Sequence, residues 1–154
     1  MVDRDMDPKL RQAALELATR RGNDMEKWNH DTRAILEDPR RAAADYRGAL
    51  QSAVTALQAY PWSPALLTTL GIAQYCNGQD REALETLERS ESLRGTSDST
   101  DLILTSMTRY RLGETEKARK ELQAAVPDRP HRADLQPPFV EEAYTLIAPG
   151  GRGQ

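Results

Sequence analysis

The stretch LTTLGIAQYCNGQDREALETL, residues 67–87, returns as LILTSMTRYRLGETEKARKEL, residues 102–122. Leu67, Tyr75, Gly78, Ala83 and Leu87 align with Leu102, Tyr110, Gly113, Ala118 and Leu122 at an offset of 35 residues. Each copy places apolar residues at helical spacing on both sides of a glycine, so each reads as helix, turn, helix. A fixed period near this length marks stacked helical pairs, in which each unit buries its apolar face only against its neighbours. No alternating strand pattern appears, and the expected fold class is all-α.

Working outward, Ser63-Pro64 starts the helix that holds Leu67, with serine as the cap and proline at the first helical position. Gly78 ends that helix and Asp80 caps the next. Gly95 and the polar run Thr96 to Thr100 separate the two copies. Gly113 ends the following helix, and Thr115 starts the one after it. Upstream, Asp38-Pro39 is a start signal for a helix running to Tyr60 and lined by Ala42, Tyr46, Ala49, Leu50, Ala53 and Leu57. Asp7-Pro8 opens a first helix with Leu10, Ala14, Leu17 and Ala18 on one face. Gly22 closes it, and Asp24 starts a second with Met25, Trp28, Thr32, Ile35 and Leu36 as its stripe. Downstream, Pro127, Pro130, Pro137 and Pro138 fill a linker, Phe139 to Ala148 make a last helix, and residues 149–154 read as a disordered glycine-rich tail. The expected organisation is a helical pair at 1–37, repeats at 38–132, a capping helix at 137–148 and a tail at 149–154. That makes about eight antiparallel helices.

The chain has 154 residues, enough for one domain with a real core. Its net charge of -3 falls wholly on residues 49–154, since residues 1–48 balance ten acids against ten bases. Neither part has the basic excess that neutralising many phosphates requires, so no nucleic-acid partner is expected. The single cysteine, Cys76, excludes an intramolecular disulfide and fits a reducing, cytoplasmic setting. Met1-Val2-Asp3-Arg4-Asp5 leads into no apolar run, so no signal peptide is expected, and no membrane span either.

The string Thr69-Leu70-Gly71-Ile72-Ala73-Gln74-Tyr75-Cys76-Asn77-Gly78-Gln79-Asp80, with Ala83 and Leu87 behind it, resembles the tetratricopeptide (TPR) repeat. Leu70-Gly71 matches the family's Leu-Gly pair, Gly78 its turn glycine, Ala83 its small residue and Leu87 its large apolar one. The second copy keeps Leu102, Tyr110, Gly113, Ala118, Leu122 and Ala125 and ends in Pro130, but has Thr105-Ser106 in place of Leu-Gly. Ala49, Ala53, Ala56 and Pro61 read as half of a degenerate third unit. The resemblance covers about residues 40–132. It implies a TPR-like α-solenoid, a right-handed superhelix, in which Leu67, Leu70, Gly71, Gly78, Ala83, Leu87, Leu102, Gly113, Ala118 and Leu122 pack the repeats. Residues 38–125 also resemble the TPR tails that follow kinase or WD40 domains in some bacteria, planctomycetes especially.

Carried over by position, the family's concave groove is lined by Ala65, Thr68, Ile72, Tyr75 and Cys76 from one unit. The next gives Thr100, Ile103, Met107, Tyr110 and Arg111. Tyr75 and Tyr110 read either as contact residues or as packing between helices. Thr68, Ile72 and Ile103 stand where a carboxylate clamp needs Lys or Asn, so acidic C-terminal chaperone peptides are not expected to bind. Residues 48–79 carry no charge. They read either as the middle of the bundle, covered by the N-terminal helices, or as an association face, because interface cores are depleted in charge.

Nothing in the sequence assembles into catalysis. Cys76 has no histidine near it in sequence, His30 and His131 being 46 and 55 residues away. Two histidines and one cysteine so dispersed make no metal site, and no phosphate-cradling glycine loop exists. Glu82, Glu85 and Glu88 lie among arginines and read as a solvated helix face. Gly150-Gly151-Arg152-Gly153 has too little positive charge for an RNA-binding tail. The expectation is a non-catalytic scaffold or adaptor without cofactor or metal, holding a peptide or helix of a protein partner in its concave groove. A homo-oligomer joined through residues 48–79, and a regulatory remnant of a bacterial signalling kinase system, are the alternatives.

Overall fold

The structure, a computed structural model, describes residues 8–96, 98–126 and 137–147. Seven helices make up the described chain: α1 (Pro8–Leu36), α2 (Ala43–Ala59), α3 (Pro64–Cys76), α4 (Asp80–Arg94), α5 (Ser99–Arg111), α6 (Thr115–Ala125) and α7 (Pro137–Ile147). No strand occurs among the described residues. Each helix from α1 to α6 packs on the next, α1 also reaches α3, and α7 packs chiefly on α5 and less on α6.

The turns follow the sequence signals in the repeat except at Asp80, which is the first residue of α4 behind Gln79 and not its cap. Ser63 caps α3, its Oγ accepting from the Leu66 N–H at 3.4 Å, with Pro64 as the first helical residue. Asp98 caps α5 through the Thr100 N–H at 2.8 Å. Gly78 and Gly113 adopt φ of 73° and 88°, the left-handed region that costs glycine least and turns one helix into the next. Leu67, Leu70, Gly71, Ala83, Leu87, Ala118 and Leu122 are buried and Leu102 is half-buried. A Cβ on Gly71 would lie 2.7 Å from the Leu87 side chain, so α3 and α4 approach at that point only because residue 71 has none.

Three expectations are corrected. Residues 8–36 form one helix, not two, so the count among the described residues is seven rather than eight. Gly22 keeps negative φ and lies inside α1, because a glycine ends a helix only when the chain turns left-handed there. Asp38-Pro39 opens a turn and not α2: the Asp38 carboxylate accepts from the Arg40 N–H at 3.1 Å, and α2 starts after Ala42, whose N–H donates to Asp45 at 3.3 Å. Pro137 and Pro138 belong to the first turn of α7, where a missing N–H leaves no bond unmade. Asp7, Pro127, Pro130, His131 and the tail lie outside the described residues, as do the side chains of Leu10, Ala14, Leu17 and Ala18.

The charge-free run divides in two. Helix α3 is enclosed along nearly its whole length, with α1 joined to α2 by Trp28 Nε1 donating to Ser52 Oγ at 2.9 Å and to α3 by Thr69 Oγ1 donating to Asn29 Oδ1 at 2.6 Å. Helix α2 buries only Ala49 and Ala53, and its outer side, with Gln51, Val54, Thr55 and Gln58, stays exposed.

Candidate interaction site

The residues expected to line a groove do come together, but not as an open surface. Ile72 and Met107 are 0% exposed, and Ile103 and Tyr75 are buried with them in one apolar cluster that includes Phe139, Val140, Ala143 and Ile147 of α7. The expectation that Ile72, Tyr75, Ile103 and Met107 face solvent is therefore corrected. Helix α7 packs on α5 and adds its apolar side to the same cluster, which lies out of contact with water. Tyr110 is half-buried against the same cluster.

Thr68 serves a different purpose. Its hydroxyl donates to Asp101 Oδ1 at 2.7 Å, and Ser90 Oγ lies 3.0 Å away and donates to the Pro64 carbonyl at 2.9 Å. Arg94 Nη1 closes the group at 3.1 Å from Asp101 Oδ2. These four side chains join α3, α4 and α5 through buried polar bonds. Burial pushes the Asp101 carboxyl above the usual carboxylate range, against the pull of the Thr68 hydrogen bond and the Arg94 charge.

Tyr75, Cys76 and Arg111 reach an open cleft of about 700 Å³, walled by the end of α1, the α1–α2 turn with Pro39, Tyr46 of α2 and the first turns of α7 with Glu141 and Glu142. That volume lies within the range of ordinary binding sites. The Arg111 guanidinium stacks 3.6 Å from the Tyr75 ring centroid, and Nη1 donates to the Tyr75 carbonyl at 3.1 Å. It also faces Asp80 at 3.4 Å and Glu142 at 3.6 Å. The Tyr75 hydroxyl donates to Glu142 Oε1 at 2.7 Å, so one carboxylate of α7 is held by both α3 and α5. Burial, and then the Glu142 hydrogen bond, raise the Tyr75 phenol far above its ordinary value.

The cleft offers little nucleophilic chemistry. Burial, and then the Glu142 charge, push the Cys76 thiol up to about 11, so it stays protonated near neutral pH. The thiol donates to the Leu36 carbonyl, 3.7 Å from Sγ. His30 sits exposed on α1 beside Asp31. Among the described residues no group of three or more potential metal ligands is gathered together.

Two features went unread in the sequence. Arg109, 8% exposed in its side chain, is surrounded by Glu88, Glu114 and Glu121 and joins α4, α5 and α6. Its only signal was position: Arg109 stands where the first copy has Gln74, a polar residue turned inward in both. Trp62, in the α2–α3 turn, is 71% exposed with Arg89 5.6 Å from its ring centroid, next to half-open Tyr60. No protein-family model matches this chain, and no curated protein or solved structure matches it significantly.

Proposed function

We propose that the chain is a non-catalytic protein-interaction module of TPR-like build, which holds a segment of another polypeptide along the side of α3 and α5 that would be concave in such a solenoid. The pairing of consecutive helices, the left-handed glycine turns one repeat apart and the close contact of Gly71 with Leu87 support that build. The observation that carries the function is the cleft at Tyr75, Cys76 and Arg111. It is a concave site of binding-site size, lined by aromatic rings and a fixed guanidinium, with a protonated thiol where an enzyme would need a reactive group.

Affinity capture from native lysate tests this, comparing the wild-type chain with a Pro39→Arg/Glu141→Arg double variant. Both positions are exposed on the rim, so the fold should persist, as circular dichroism will show. A protein retained only by wild type is the expected result. Identical captures from two folded samples would remove the cleft from consideration. Ile72→Glu is a poor probe of this site, because it would bury a carboxylate in the core.

A second reading rests on Trp62, Tyr60 and Val54, exposed apolar side chains on the charge-free side of α2 and its turn. It makes that side a self-association face. Sedimentation equilibrium should then show dimer that Trp62→Glu abolishes, whereas monomer at high concentration would exclude it.

A further inference from the structure

Apolar groups and a surplus of acid meet on the walls of the cleft. Leu36, Pro39, Tyr46 and Phe139 give it apolar surface, and its charged lining is Glu37, Glu141 and Glu142 against Arg111 alone. Arg111 is already engaged: it stacks on the Tyr75 ring, donates to the Tyr75 carbonyl, and lies 3.4 Å from Asp80 and 3.6 Å from Glu142. Two acids thus share one base. Glu37 is met by Arg33 Nη2 at 2.9 Å, and beyond Pro39 both Arg40 and Arg41 turn to Asp38, at 3.2 and 3.4 Å. Glu141 stands exposed on the rim and forms no ion pair among the described residues. The floor feels the same sign. After burial, the Glu142 charge acts on the Cys76 thiol and the Tyr75 phenol more strongly than the opposing Arg111 charge does. An acidic side chain entering here would meet Glu141 and Glu142 with no base left to receive it. A lysine or arginine would lay its methylene stem on the apolar walls and bring its charge to those two carboxylates.

We propose that the cleft takes a lysine or arginine side chain of the bound segment, its stem against Leu36, Tyr46 and Phe139 and its charge between Glu141 and Glu142. This rests on the reading of the chain as an interaction module and adds the chemistry of the partner, a segment with a basic anchor residue. Helix α7 stays in place as the acidic wall. The exposed part of this attraction is screened by salt, so binding weakens as ionic strength rises.

The test titrates the isotope-labelled full chain with three small probes and follows the backbone amides by NMR. The probes are N-acetyl-arginine amide, N-acetyl-citrulline amide, which keeps the shape and loses the charge, and N-acetyl-glutamate amide. The arginine probe should shift the amides of Glu37, Tyr46, Cys76 and Glu141 at millimolar concentration and bind about tenfold more tightly than the citrulline probe. The glutamate probe should leave those amides unmoved. Glu141→Gln should weaken arginine binding about threefold, and Glu141→Lys more, with the spectrum away from the rim unchanged because the side chain is exposed. Arginine and citrulline probes that bind equally, an arginine probe that leaves the cleft amides unmoved, a glutamate probe that binds the more tightly, or Glu141→Lys without effect would each overturn the proposal. Rim-dependent capture of a polypeptide without arginine binding would remove the basic anchor and leave the interaction module standing. Arginine binding in the cleft with no polypeptide held at its rim would support the cation site and remove the module.

Discussion

Gly71 and Ser106 occupy the same place in the two copies and show how narrowly a single position is specified. At Gly71 the added methyl of alanine would meet Leu87 at 2.7 Å, and Leu87 is wholly buried and cannot swing away. Gly71→Ala should destabilise by about 1–3 kcal/mol in denaturant unfolding even though alanine favours helix, since overpacking outweighs propensity. At Ser106 the helices accept the extra atoms, and its hydroxyl donates back to the Ile103 carbonyl at 2.7 Å. The Leu-Gly pair was readable from sequence because glycine has few other reasons to stand mid-helix. The polar group of Thr68, Ser90, Arg94 and Asp101 was not, because its bonds link residues up to 33 positions apart. Asp101 carries a pH signature. Its folded-state pKa lies above the ordinary value, so its contribution to stability is full below the usual carboxylate range and is lost as pH rises through the raised pKa. Between about pH 4 and 7 the thermal midpoint of Asp101→Asn should vary less with pH than that of wild type. Cys76 gives a kinetic counterpart. A thiol raised from 9.0 to about 11 has about 100-fold less thiolate near neutrality, so iodoacetamide should label it about 100-fold more slowly than an exposed cysteine.

At the scale of the helix, the interior of the repeat was readable and the flanks were not. Gly78, Gly95 and Gly113 all turn left-handed, as their places between helical stripes implied. Gly22 looked the same in sequence, followed by Asn23 and Asp24, yet α1 runs through it. The difference is tertiary: a second helix from Asp24 would need a turn against a neighbour, and continuing the helix costs only about 1 kcal/mol for the glycine. A Cβ at Gly22 meets nothing within 4 Å, so Gly22→Ala should stabilise by about 0.5–1 kcal/mol. Loss of stability of similar size would mean that the chain turns there after all. Helix α7 was found by its apolar spacing, but its seat was not, because the contact it makes with Tyr75 spans 67 residues.

For the molecule as a whole, the period of 35 gave the helical pairs, while the placing of α7 decides what surface is left. Ile72, Tyr75, Ile103 and Met107, assigned to a groove, are buried, and their burial follows from the apolar character that made them candidates. What stays open is the cleft where α1, α3, α5 and α7 meet, its rim at Pro39 and Glu141 and its floor at Tyr75 and Cys76. Site-specific photo-cross-linking in native lysate tests most directly whether another polypeptide is held there. Probes at residues 39 and 141 are compared with a probe at Glu85 on the exposed side of α4. A single polypeptide joined from both rim positions and not from residue 85 is the expected result. Adducts that form equally from residue 85, or from none of the three, would contradict it.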